Sequence, residues 1–337
     1  MAMADVRSWL QSLMREAFGI LAFVYIWIAL MVWQLYIIVY TKLSTWFPRT
    51  SALISSSVRW AHSLISGGNT KTHVLITMPF SPFCETVRWA FDMAGEPYDE
   101  RSVGPIFHYF VSLFQTLGSN RAVPIMITHP DHRVLPTSHA CLRFLGDLNN
   151  ERFGEDWVFP SRDAEEFEMN LSADDSYGQA VMRCVYHYFF TAKEDDGKKQ
   201  LLQVCKKGIS KWQSVLLPFL WPGYELIIKL SLKVDDQVTF KANIEQVDKT
   251  WDKVNQLLSD GRKYILGTRQ ASGADIAFAA LSYPLILPTE MDGGLFSFSK
   301  DPLPPRYRKE VERRRKSAAG RFVLRLFKEE RHITFQT

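Results

Sequence analysis

Residues 78–90 read MPFSPFCETVRWA, directly behind the apolar run His73-Val-Leu-Ile-Thr77. A short apolar run bounded by a Ser-Pro turn predicts a strand that feeds a helix. Serine before proline is a good cap and first-turn pair, and Gly95 supplies the stop. Reactive cysteines favour such helix N-termini. Here serine stands at the turn and Cys84 follows three places later, so the stretch asks which of the two does chemistry.

Working outward, the pattern alternates. After the strand 73–78 and the helix 82–95 come a strand over 98–103 and a helical stretch over 106–117, closed by Gly118. A strand then runs from Val123-Pro124 to His129, with a turn at Pro130-Asp131, a strand over 132–135 and a helix from Thr137 to about Leu148. The stretch 106–117 is strongly apolar and fits either core packing or contact with a bilayer or partner helix. Beyond Phe159-Pro160 the chain reads as helical. Trp251, Val254, Leu257 and Leu258 mark one amphipathic helix, and Ser272 with Asp275 forms a capping box, a folding device.

Three stretches carry a family resemblance: SPFCETVRWAFDMAG (81–95), VPIMITHPDHRVLPTSHACLRFL (123–145) and YILGTRQASGADIAFAALSYPLI (264–286). Together and in this order they resemble the glutathione transferases, over about residues 73–331. The resemblance implies an α+β thioredoxin-like domain followed by an all-α helical domain. It also implies glutathione as co-substrate. Ser81 takes the place of the active serine of the tau and zeta classes, or of the first cysteine of a Cys-Pro-Phe-Cys motif. Val123 and a cis Pro124 would meet the cysteinyl part of glutathione, and Ser138 its γ-glutamyl carboxylate. The acidic residue usual before that serine is Thr137 here, which weakens the expected grip on the amino group. Arg121 is either a partner of the glycyl carboxylate or a solvated arginine. Tyr186, Phe190 and Trp212 are candidates for a second-substrate pocket or for plain core.

The chemistry suits these residue types. A thiol with a pKa near 8.5 is only slightly ionised at neutral pH, and the thiolate is the nucleophile. A hydroxyl donor beside a helix N-terminus favours the anion; lowering the pKa by two units takes about 2.7 kcal/mol. Ser81 fits that donor, while Cys84 reads as a packed helical residue without a thiol partner.

Ahead of this body, Phe18 to Tyr40 carries no charge over 23 residues. At about 1.5 Å per residue, a helix of that length crosses a hydrocarbon core of about 30 Å. Arg7 and Arg15 precede it, while Lys42, Arg49, Arg59 and Lys71 follow, which places the body on the cytosolic side. Asn170-Leu171-Ser172 is a sequon that reports on this topology. The expected organisation is thus 1–42 with the membrane helix, a juxtamembrane linker over 43–72 that includes an amphipathic stretch at 52–66, a glutathione-binding domain over 73–150, a helical domain over 151–300 and a basic extension over 301–337. Residues 306–331 hold 11 Lys/Arg against 4 Glu; the run suits either an anionic surface or ordinary salt bridges.

With 337 residues, 47% hydrophobic and a net charge of +4, composition makes no case for nucleic acid. Four cysteines lie far apart with no zinc spacing, so no metal is expected and reduced thiols are. Partners are the lipid bilayer, glutathione, and a homodimer mate or a membrane-complex subunit. The alternatives to an enzyme of this kind are a non-catalytic subunit or scaffold of a membrane assembly, and a thiol oxidoreductase or prostaglandin-synthase-like isomerase.

Overall fold

The computed structural model describes residues 71–116, 118–192, 196–291, 297 and 300–331. The apolar segment 18–40 and the stretch 52–66 lie outside the described residues.

Strand β1 (His73–Thr77) is buried along its whole length, because it lies in the middle of a four-stranded sheet. Its neighbours are β2 (Tyr98–Ser102), parallel to it, and β3 (Ile125–Ile127), antiparallel; β4 (Val134–Leu135) closes the order β2-β1-β3-β4. A central strand faces packed layers on both sides, hence the unbroken apolar run. The edge strand β2 carries Asp99, Glu100 and Arg101, charges that discourage pairing with a further chain. Val123 and Pro124 fall outside the β3 ladder, as a residue lacking an N–H requires.

Helix α1 (Pro82–Ala94) joins β1 to β2, and α2 (Phe107–Gln115) joins β2 to β3. Gly95 ends α1 at φ 62°, where its N–H and that of Glu96 close onto Asp92 and Phe91 carbonyls. Helix α3 (Ser138–Phe153) runs beyond Leu148, to a left-handed cap at Gly154. Near its end the Asn149 amide donates to the Glu155 carbonyl at 2.6 Å.

The helical part comprises α4 (Arg162–Ser172), α5 (Tyr177–Phe190), α6 (Asp196–Cys205), α7 (Lys211–Leu232), α8 (Gln237–Leu257), α9 (Gly273–Ile286), α10 (Pro305–Arg315) and α11 (Ala318–Glu329). Helix α9 is buried at every position and packs on α1, α4, α5, α10 and α11. A helix apolar all round is stable only at such a centre. Its start is fixed by Asp275, whose carboxylate accepts from Ser272 N (2.9 Å), Ser272 Oγ (2.7 Å) and Ile265 N (2.8 Å). Trp251 and Val254 are buried on α8, with Leu257 and Leu258 half-buried.

The basic run forms α10 and α11, and these helices are integral to the body. Arg314 is buried, bonded to Glu310 (2.7 Å) and Asp248 (2.6 Å), and Arg331 is buried against α1. Internal ion pairs therefore account for much of the positive excess.

Candidate functional site

The strand registers decide what meets what. Thr77, the last residue of β1, pairs with Ser102, the last of β2. Ile76 pairs with Ile125, the first of β3, and Leu135, the last of β4, pairs with Met126. The turn carrying Ser81, the Val123–Pro124 segment and the entry to α3 at Thr137–Ser138 therefore leave the sheet at the same end. The peptide bonds before Pro124 and Pro130 are cis.

Ser81 caps α1: its Oγ accepts from Cys84 N at 3.4 Å, and its carbonyl accepts from Glu85 N at 3.0 Å. The cap uses an oxygen lone pair and leaves the hydroxyl proton for another acceptor. Ser81 is half-buried at the positive end of the helix. Cap and donor are thus compatible roles for one side chain.

The loop leading to Ser81 is held from behind through its carbonyls. Arg88 donates to Met78 O at 3.2 Å and to Pro79 O at 3.4 Å, and Tyr283 on α9 donates to Phe80 O at 2.5 Å. Arg88 also bonds Glu100 at 2.7 Å and Glu85 at 3.4 Å, and Glu100 takes the Thr77 hydroxyl at 2.5 Å. Burial alone would lower the Arg88 pKa; Glu100 and Glu85 outweigh it and raise it. Neither Arg88 nor Tyr283 shows a site role in sequence, because the partners are brought together only by the sheet and by α9. The motif's own spacing carries no signal for them.

Cys84 is fully buried, with its Sγ accepting from Met78 N at 3.3 Å. Burial pushes its thiol up, against a smaller opposing pull from Arg88. A raised, inaccessible thiol makes a poor nucleophile. Cys141, Cys184 and Cys205 are buried as well.

On the facing side, Thr137 caps α3 by accepting from Ala140 N at 3.1 Å. Ser138 is buried at the first helical position, and Arg121 is exposed. Asn120 ties this side together: its amide donates to Pro136 O and, at 3.3 Å, to Ala122 O, while its Oδ1 accepts from Ala122 N at 3.0 Å. It thereby links the Val123 segment to the entry of α3. Next to Ser138, His139 meets the buried carboxylate of Glu168 on α4 at 2.5 Å. That bond raises the His139 pKa, against the opposing effect of burial.

The three aromatic candidates separate. Tyr186 and Phe190 are buried on α5, their rings 6.2 Å apart, and the Tyr186 hydroxyl meets that of Tyr224 at 3.3 Å. Trp212 is 57% exposed and stands edge-on to Phe107 at 5.0 Å.

Residues 75–153 match the family model described as Glutathione S-transferase, N-terminal domain. No curated protein matches the chain. Among solved structures, the glutathione transferase GSTFuA2 from Phanerochaete chrysosporium is similar at 11% identity and a TM-score of 0.50, covering 78% of this chain and 99% of its own. A glutathione S-transferase of Ceriporiopsis subvermispora, solved in complex with glutathione, aligns at 12% identity and a TM-score of 0.49, covering 78% and 98%. A tau-class glutathione S-transferase from mango, Mangifera indica, aligns at 14% and 0.37, covering 77% and 96%. At such identities the likeness is one of fold. Family model and architecture agree that the described body is glutathione-transferase-like: a thioredoxin-like domain followed by a helical one.

Proposed function

We propose that this chain is a membrane-tethered, glutathione-dependent transferase. Glutathione binds at the sheet end where the Ser81 turn, Val123–Pro124 and the start of α3 converge. Val123 supplies backbone groups to the cysteinyl moiety. Ser138 and the first-turn amides of α3 receive the γ-glutamyl carboxylate, and Arg121 receives the glycyl carboxylate. Ser81 donates its hydroxyl proton in a hydrogen bond to the sulfur and so favours the thiolate. The thiolate then attacks an apolar electrophile, forming a carbon–sulfur bond as a leaving group departs with the bonding pair or as an activated double bond takes up a proton. Or it attacks a peroxide O–O bond to give glutathione sulfenic acid and an alcohol, and a second glutathione converts the sulfenic acid to the disulfide and water. Tyr186 and Phe190 are the residues proposed for the second substrate.

One observation carries the reading: Ser81 sits at a helix N-terminus with its hydroxyl proton unused by the cap, on a loop whose carbonyls Arg88 and Tyr283 fix. The buried Cys84 argues against a two-thiol oxidoreductase or a thiol-dependent isomerase. Isothermal titration of the full chain in detergent with glutathione is the test. Saturable heat at or below millimolar ligand supports the proposal; none at that concentration sinks it.

Residues 18–40 supply the tether, with the body on the cytosolic side. Asn170 is exposed on α4, so a glycan there would reverse this topology.

A second reading has an observation of its own. Thr137 spends its oxygen on the α3 cap and brings no carboxylate to the site. A glutathione-transferase fold retained as a non-catalytic subunit of a membrane complex would look like this. A silent titration, together with stable co-purification of other membrane proteins, would favour it.

A further inference from the structure

Helix α7 spans 22 residues and is apolar enough to cross a membrane by length and composition, yet it is docked on the body along one side. Gln213, Leu217, Trp221, Tyr224 and Ile228 are its buried stripe, and Gly223 is buried on the other side between Phe219 and Leu226. Opposite the stripe stand Trp212, Val215, Leu216, Phe219, Leu226 and Leu230, all between 41% and 70% exposed. Successive spacings of three, one, three, seven and four residues put all six on one face of the helix. Over 18 steps at about 1.5 Å per residue, the ridge is about 27 Å long. The exposed fractions of these side chains correspond to on the order of 600 Å², the upper end of what a soluble monomer leaves bare.

Helix α2 extends the ridge. It buries His108, Ser112, Leu113 and Gln115, Phe110 and Val111 pack partly against the core, and Phe107 is half-buried at the edge next to α7. Phe107 touches Trp212, so the two apolar faces meet. Exposed lysines stand at both ends of α7, Lys211 and Lys233. Apolar residues on one face with basic residues at its ends suit the headgroup boundary of a bilayer.

We propose that α7 lies flat in the membrane interface, its Trp212–Leu230 ridge inserted among the acyl chains. The inference rests on the tether reading for bringing the body to lipid. Residues 41–70 separate the two by 30 positions of sequence, enough chain to let the body settle on the surface. The bilayer is a better occupant than segment 18–40 itself. That segment has no polar face, so packing it on a single convex ridge leaves the rest of it in water. A second copy would cover one ridge with one ridge, near the lower bound of a stable interface.

The consequence concerns the site. The turn before α7 packs on the Ser81 loop: a side-chain atom added at Gly208 would lie 3.0 Å from Pro79 Cγ. Gln213 Oε1 accepts from Gly104 N at 2.7 Å, just past the end of β2. A bilayer-bound α7 therefore holds the Ser81 loop at the membrane surface, where an electrophile dissolved in lipid reaches it without crossing water.

The four native cysteines are buried, which permits selective labelling of introduced ones. Val215→Cys, Leu230→Cys and, as an aqueous reference, Arg162→Cys are each made in the full chain. Each receives a nitroxide and is reconstituted in phosphatidylcholine–phosphatidylserine vesicles. The expected result is a rise in oxygen over nickel-complex collision rates at 215 and 230 and none at 162. Ridge labels that behave like the reference overturn the proposal. So do labels shielded from both reagents, which would mean that protein covers the ridge. Retention of the chain on vesicles in alkaline carbonate reports the tether separately. Retention with a water-exposed ridge sinks the docking and spares the tether; loss of retention with lipid-exposed labels does the reverse.

Discussion

Arg331 Nε donates to Glu85 Oε1 at 2.7 Å, and the same guanidinium meets Asp92 at 2.5 Å, so the end of the described chain is locked into the first helix of the sheet domain. All three side chains are at most 10% exposed. Removing one partner of a buried ionic cluster weakens the compensation of the charges that stay, here Asp92 and a Glu85 that keeps Arg88 at 3.4 Å, at a cost of up to about 3 kcal/mol. Arg331→Ala is accordingly expected to lower the urea midpoint far more than the exposed Arg162→Ala does. Equal shifts in the two variants would show that the domains hold together without this contact.

Ser81 has two roles that substitution can separate. Ser81→Ala removes both the cap and the donor; Ser81→Asp keeps a cap and removes the donor. The alanine variant should lose about 1 kcal/mol of stability, the aspartate variant little of it. Both should lose turnover, about a hundredfold or more for a missing donor at a developing anion, and the alanine variant's rate profile should move to higher pH. If Ser81→Asp turns over like the parent, the serine is a cap alone.

Cys84 and the other three cysteines lie under the surface with thiols raised by burial. A thiol-specific chromogenic reagent should titrate no group in the native protein and all four in denaturant. Cys84→Ala should cost stability through a lost contact to Met78 N and leave catalysis in place. Rapid native modification that abolishes activity would return the cysteine to the mechanism.

Much of this body was legible where chemistry is local. The Ser81-Pro82 start, the Gly95 stop and the Ser272–Asp275 box each act within a few residues, and the structure has all three. Arg88 meets Glu100 from 12 residues away, and Arg331 meets Glu85 from 246 away; no periodicity announces such pairs. Of the two readings open for the basic run, the structure has the salt bridges, but their partners Asp248, Glu85 and Asp92 lie far back in the chain and no local pattern names them. Helix α2 shows the opposite difficulty. Its apolar residues fit either a core face or an outward contact; the structure buries Ile106 and Leu113, and Ser112 also turns inward because the Ala122 carbonyl takes its hydroxyl, at 3.0 Å.

His139 makes stability depend on pH. Its pKa is raised by Glu168, so the folded state binds the proton more tightly than the unfolded chain. The stabilisation is complete below the ordinary histidine value of about 6.5 and disappears as pH rises through the raised one. His139→Gln should therefore cost about 1–2 kcal/mol near pH 5.5 and much less near pH 9. Urea midpoints of parent and variant at the two pH values measure the gap. A constant gap would mean that packing, not charge, is what the imidazole contributes.

Tyr283 reaches from the centre of the helical domain to the carbonyl of Phe80, one residue before Ser81. Tyr283→Phe keeps the ring, which is fully buried, and removes only the donor. An unsatisfied buried carbonyl costs about 1–3 kcal/mol, and part of that will be relieved by the Phe80 peptide rotating away. Rotation there displaces Ser81, whereas loss of stability alone would not. The expected signature is a lower kcat with a largely unchanged KM for glutathione, measured well below the melting temperature, because the α3 side of the site is untouched. A variant that melts earlier with unaltered kcat would confine Tyr283 to holding the domains together and leave the loop's position to its other contacts, Arg88 among them.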